Sequence, residues 1–393
     1  MTSPPLVVTT AGLVDIGAGE LVWTRVYTAH GREDDARRPS PPPPPQQQQQ
    51  RRARQQRRAP VNAGALASLV RARPTAILLL HGFPDTGELW ARLGPDLARA
   101  TGAAVIAPDL PGAGLSPEAA RAGASCPEDV AAYGVGSLAR RMLALLSTLL
   151  GGDSSPACVA GHDFGAAIAW RMAMAAPARI RRLAALSVGH PAAIAAGGAR
   201  QRARFWYYLF LALSPPDQAE RALARDGWAL FRQVIMPEGR GGGGDAAAED
   251  AAAVDACVAR LSQSPRLLRA ATNLYRANYR AEGFGATAVP NPVPGVTALG
   301  GGGGGSNLEA ALGIVGRQDP ALTVEQMAAS CAFVLPPATW SCEVWPESGH
   351  WMMRDAPERL AQALARFFAP ACGPPAAGGG RGGGEVAPPR ARL

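Results

Sequence analysis

Short apolar runs alternate with longer stretches of helical spacing along most of the chain. Leu21-Val-Trp-Thr-Arg-Val-Tyr27 alternates and predicts a strand. Ala76-Ile-Leu-Leu-Leu80 is apolar throughout and ends at His81-Gly-Phe-Pro84, as expected of a parallel strand buried on both faces and feeding a loop. Val105-Ile106-Ala107 repeats that pattern and runs into Pro108-Asp-Leu-Pro-Gly-Ala-Gly114. Leu138 to Leu150 has helical spacing and stops at Gly151-Gly152. Cys158-Val-Ala160 is a further strand, Ala166 to Ala175 a helix, and Leu183-Ala-Ala-Leu186 another strand. Trp340 to Trp345 predicts a last strand and Ala356 to Phe368 a last amphipathic helix. Strands alternating with helices predict a parallel sheet covered on both faces.

From about 191 to 289 the alternation stops. That region is helix-like and aromatic (Phe205-Trp-Tyr-Tyr208) and is interrupted by the run Gly239–Gly244. It reads as a helical excursion from a sheet domain made of residues 1–30, 73–190 and 290–372. Residues 31–72, with Pro41–Pro45, Gln46–Gln50 and an arginine-rich stretch, read as a low-complexity insert that cannot build a core, and 373–393 as a disordered Gly/Pro tail.

Composition changes the picture in one respect. The pI of about 9.7 suggests nucleic acid, but residues 30–73 hold ten arginines against Glu33, Asp34 and Asp35, which is +7 of the net +8. The remainder is close to neutral, so no nucleic-acid partner is expected. Six scattered cysteines without a C-x-x-C pair suggest neither a zinc site nor a disulfide framework. With no signal pattern and no apolar run of ~18 residues, a soluble, cytoplasmic protein is expected.

The most informative residues are Gly161-His-Asp-Phe-Gly165, the shape of a nucleophile elbow with aspartate where serine is usual. A serine attacking saturated carbon leaves an ether that water does not cleave under mild conditions. An aspartate leaves an alkyl ester, which can be opened at its carbonyl. Asp163 therefore points to substitution at carbon, as in epoxide opening or dehalogenation. Opening the ester needs a base, for which His350 in Ser348-Gly-His-Trp351 follows the last strand. It also needs a partner to orient that base, for which Asp319 lies in Gly316-Arg-Gln-Asp-Pro320. Either Val296-Thr-Ala-Leu299 or Leu312-Gly-Ile-Val315 is the strand ahead of Asp319; the second places it correctly. His81, His162 and His190, each in a turn beside a strand end, are expected to be structural.

His81-Gly-Phe-Pro84, the Gly161–Gly165 elbow, the Gly316–Asp319 segment and Ser348-Gly-His350 together resemble the epoxide hydrolase branch of the α/β-hydrolase superfamily, over roughly residues 11–369. The resemblance implies the α/β-hydrolase fold, a mostly parallel sheet flanked by helices, with an inserted helical cap at 191–289. It implies two cap tyrosines that hold and protonate an epoxide oxygen. Trp206-Tyr-Tyr-Leu-Phe210, ahead of Ser214-Pro-Pro216, favours Tyr208 over Tyr207, and Asn273-Leu-Tyr-Arg276 offers Tyr275. It also implies an oxyanion hole from the backbone N–H groups of Phe83 and Phe164. An apolar epoxide and water are the implied partners, with no metal or organic cofactor, since side chains and water supply every proton and nucleophile. A dehalogenase of this type usually carries tryptophan after the nucleophile to donate to halide, and so do many epoxide hydrolases. Phe164 departs from both patterns. The third alternative is a ligand-binding protein that has kept the scaffold.

Overall fold

The apolar runs become the interior of an eight-stranded sheet. In the computed structural model, which describes residues 6–17, 19–30, 62–117, 129–237, 245–279, 299–300 and 306–372, its strands are β1 (Leu6–Asp15), β2 (Leu21–His30), β3 (Ala76–Leu80), β4 (Ala104–Pro108), β5 (Ala157–His162), β6 (Ile180–Leu186), β8 (Ala310–Gly316) and β10 (Thr339–Trp345). They lie in the order β1-β2-β4-β3-β5-β6-β8-β10, with β7 (Leu299–Gly300) paired to β9 (Val334–Leu335) in a separate ladder. β2 is antiparallel to both β1 and β4, and every other neighbouring pair is parallel. β3, β4, β5 and β8 are buried along their whole length, which is why their residues are apolar without alternation.

The chain winds one way from β3 to β4 and the other way from β5 to β6 and onward. The switch point therefore falls between β3 and β5, where the crevice beyond the strand ends is the expected ligand site of such a sheet. The loop after β3 carries Phe83 and the turn after β5 carries Asp163. The helices flank the sheet in two groups: α2 (Leu93–Thr101) packs against α13 (Pro357–Cys372), while α1 (Ala63–Arg71) and α4 (Phe164–Ala175) pack against α3 (Val135–Leu150).

Between β6 and β8 come α5 (Pro191–Ala195), α6 (Gly198–Arg204), α7 (Trp206–Leu213), α8 (Gln218–Leu230), α9 (Asp245–Leu261) and α10 (Pro265–Asn278). α9 crosses to the sheet loops at both ends, through Arg260 to the Pro84 carbonyl and through Asp250 to Arg354 beside the His350 loop. After β8 follow α11 (Val324–Ala329) and α12 (Met352–Asp355).

Three sequence expectations need comment. β1, at the edge of the sheet, has no counterpart in the sequence reading, because Leu6-Val-Val-Thr-Thr-Ala-Gly-Leu-Val-Asp15 does not alternate. The insert read as 31–72 ends sooner: Asn62 caps α1 through Oδ1, and Leu66, Ala67 and Val70 are buried against the core. Arg71 at its end donates to the last carbonyls of α3, at Leu149 and Thr148. The strand ahead of Asp319 is β8, which contains Leu312–Val315; of the alternative, only Leu299 is described, and it pairs outside the main sheet. Residues 31–61, the glycine run at 239–244 and the tail after 372 lie outside the described residues.

Candidate active site

Asp163 sits at φ +54°, ψ −125°, between the last residue of β5 and the first of α4. A non-glycine residue held there costs about 1–3 kcal/mol and persists only where its surroundings over-determine it. The elbow supplies that determination. A Cβ at Gly161 would run into the Gly165 carbonyl, and one at Gly165 into the Leu80 carbonyl, so strand, turn and helix approach as only glycine permits. Gly82 is constrained in the same way: a Cβ there would occupy the place of the Asp163 carboxylate.

The two carboxylate oxygens face different partners. Oδ1 accepts from the Phe83 N–H at 2.9 Å. Oδ2 lies 3.7 Å from His350 Nε2, ion-pair range rather than a hydrogen bond. Burial alone acts to raise the Asp163 pKa, but the adjacent His350 imidazole and the Phe164 N–H outweigh it, and the carboxyl is held below its ordinary range.

His350 is fixed from both ends. Its Nδ1 lies 2.8 Å from Asp319 Oδ2, and Asp319 Oδ1 accepts from the Ala321 and Leu322 N–H groups at 2.8 and 2.9 Å. Burial works to lower the His350 pKa, yet Asp319 and Asp163 prevail and raise it to about 10. Both carboxylates thus favour the protonated form of the imidazole between them. The His350 backbone carbonyl accepts from His162 Nε2 at 2.9 Å and from Ser187 Oγ at 3.0 Å.

Tyr275 packs on the residues flanking Asp163, its ring edge-on to Phe83 (5.1 Å), Phe164 (5.1 Å) and Tyr208 (5.0 Å). The Tyr208 hydroxyl is buried without a partner, which in a folded protein calls for an explanation. Burial first, then the Asp163 charge, pushes the Tyr208 phenol well above its ordinary value. Tyr275 is raised in the same direction, by burial and by Tyr207 and Asp163, so both phenols remain protonated donors. The Tyr207 ring lies 6.1 Å from that of Tyr275, and burial with the Asp163 and Asp319 charges raises its phenol well above the ordinary value as well. Asp163, Asp319, His350, Tyr208, Tyr275, Phe83 and Phe164 thus converge on the switch-point crevice.

His81, His162 and His190 are pushed toward the neutral form. Burial pushes His81 and His190 down to about 4, and burial with the neighbouring His350 pushes His162 to about 3. His81 lies within bonding distance of the Gly82 carbonyl through Nδ1 and accepts from the Leu110 N–H through Nε2; His190 caps α5 through Nδ1. The sequence reading missed three supporting residues. Asp85 accepts from Trp351 Nε1 at 2.9 Å, tying the oxyanion loop to the His350 loop. Ser187 binds the His350 carbonyl. The positions of Asp85 and Trp351, directly after His-Gly-Phe-Pro and after His350, were the available signal. Among the described residues no His/Cys/Asp/Glu group could hold a metal ion, and no helix is long and apolar enough to cross a membrane.

A doubly wound sheet with an elbow aspartate, a following acid and a late histidine defines the hydrolase class of α/β scaffold. The chain belongs to the α/β hydrolase fold family, whose model matches residues 75–357. Epoxide hydrolase A of Mycobacterium tuberculosis is 32% identical over 162 residues, 40% of this chain and 47% of that protein. An epoxide hydrolase of Caballeronia sordidicola is 37% identical over 113 residues, 29% of this chain and 31% of that protein. The chain therefore spans less than half the length of these curated relatives. The crystal structure of a Bacillus megaterium epoxide hydrolase in complex with an inhibitor superposes with a TM-score of 0.58 at 21% identity, covering 75% of this chain and 93% of that one, which is a likeness of fold.

Proposed function

We propose that the chain opens epoxides to vicinal diols through an alkyl ester on Asp163. The observation that carries this reading is the elbow carboxylate set between the Phe83 N–H and His350, with the buried, unpartnered Tyr208 hydroxyl and the Tyr275 ring packed against Phe83 and Phe164. Asp163 Oδ2 attacks an epoxide carbon, the C–O bond breaks, and the leaving alkoxide takes a hydrogen bond from each phenol and a proton from one. Attack removes the carboxylate charge that held the phenols' protons, so they become better acids as the alkoxide forms. The same loss of charge lowers the pKa of His350, which passes its proton through water to the phenolate left by that step and becomes the neutral base. His350 takes a proton from a water that adds to the ester carbonyl carbon, and Oδ1 becomes the oxyanion held by the Phe83 and Phe164 N–H groups; on collapse His350 returns the proton to the departing diol oxygen, and the new carboxyl group ionises to His350, restoring the starting carboxylate. The partners of this chemistry are an apolar epoxide and water, and the reading takes residues 191–289 as a cap on the core.

The Phe164 side chain carries no N–H to receive a halide, and its ring instead packs against Tyr275 and Tyr208. That favours an epoxide over a haloalkane. The test is intact mass of the His350→Gln protein after incubation with styrene oxide or 1-bromohexane. A mass gain equal to the whole epoxide, abolished when Asp163 is also replaced by Asn, is the expected result. A gain from the bromide alone points to a dehalogenase, and none from any substrate to a binding protein.

A further inference from the structure

Ser187, the residue after β6, is one of five non-glycine residues with positive φ among the described residues, at +68°. The Val188 N–H donates to the Leu186 carbonyl at 2.9 Å across it, a three-residue turn of the strained kind. Glycine would occupy this position without strain, so a serine there calls for a reason in its hydroxyl. The hydroxyl is fully buried and donates to the His350 carbonyl at 3.0 Å.

The backbone of the same residue reaches the other catalytic loops. The Ser187 N–H donates to the Ile314 carbonyl of β8, the strand that leads to Asp319, at 2.8 Å. Its carbonyl accepts from Gln326 Nε2 of α11 at 2.9 Å. The preceding Leu186 carbonyl accepts from the Asp163 N–H at 3.4 Å. Leu186 and Ser187 together therefore register the base against both the nucleophile turn and the acid strand, while His162 lies within bonding distance of the same carbonyl.

We propose that Ser187 is a positioning residue for the ester-hydrolysis half-reaction: it holds the His350 backbone so that Nε2 aims at the water attacking the Asp163 ester. The inference rests on the alkyl-ester reading above. It concerns the second half-reaction only, because attack by Asp163 on an epoxide needs the phenols and not a correctly aimed base.

The experiment separates this role from a structural one, because replacing serine by glycine removes the hydroxyl and the strain together. In Ser187→Gly, Tm should be unchanged or higher, the rate of ester formation with styrene oxide should match the parent, and ester decay, followed by rapid quench and intact mass, should slow by about ten- to a hundredfold. Ser187→Ala keeps the strain and loses the hydroxyl, so it should have a lower Tm and the same slow decay. Decay within twofold of the parent in Ser187→Gly overturns the inference. So does an equal slowing of ester formation and decay. A parent protein that forms no Asp163 adduct at all overturns the ester reading and this inference with it, whereas an adduct that decays normally in Ser187→Gly overturns this inference alone.

Discussion

In the proposed mechanism single charges depend on one another. Asp163 in its ionised form raises both phenols and His350, so the event that neutralises it makes the phenols better acids and His350 easier to deprotonate. Two outcomes follow at this scale. Tyr208→Phe and Tyr275→Phe should each slow ester formation by about a hundredfold, the usual loss when one oxyanion donor is removed, and leave ester decay unaltered in a single-turnover assay. Full activity in both variants would remove the phenols from the mechanism. The second outcome concerns pH. A folded-state pKa of about 10 for His350, above the ordinary 6.5, contributes stability fully present below 6.5 and lost as pH rises toward 10. Tm should fall across that window in the parent and stay flatter in His350→Gln. Ester decay should rise with pH at a midpoint below 10, because the ester no longer carries the Asp163 charge. Asp163 and His350 were legible in the sequence because a short motif fixes each. Ser187 and Asp85 were not, since their roles rest on hydrogen bonds to residues far away in sequence, at His350 and Trp351.

Each element's contribution is to hold a group at the sheet edge, and α10 shows how. Arg269, Thr272 and Arg276 on one face of α10 all donate to Glu220 of α8, at 3.0, 2.7 and 2.7 Å. Asn278 at its end accepts from the Val135 N–H at 2.8 Å and donates to the Tyr133 carbonyl at 3.3 Å, so the helix that carries Tyr275 is bolted to both layers. Glu220→Ala leaves Arg276 buried without its carboxylate and should cost about 3–5 kcal/mol, read as a lower denaturation midpoint in urea. A change under about 0.5 kcal/mol would show that the network adds nothing to the fold. The sequence pattern found most parallel strands because their apolar runs are short and continuous. It missed β1, whose residues do not alternate, and α1, whose few apolar positions follow a low-complexity run.

For the whole molecule, the alternation of strand and helix was sufficient to read a doubly wound sheet and so to locate the crevice between β3 and β5. What the pattern could not supply was the packing of α5 to α10 over that crevice, since helical spacing gives a face but not its neighbour. Charge also belongs to this scale. Residues 32–58 hold eight arginines against three acids, in a chain of net charge +8. Replacing those arginines with serine should abolish retention on heparin and leave epoxide turnover unchanged; a loss of turnover would give the insert a part in the chemistry. The central claim, an ester on Asp163, is tested most directly by one turnover in H₂¹⁸O with enzyme in excess over styrene oxide. The account predicts unlabelled diol from that first turnover and ¹⁸O in the peptide that contains Asp163. Labelled diol with an unlabelled peptide would show direct attack by water and contradict it.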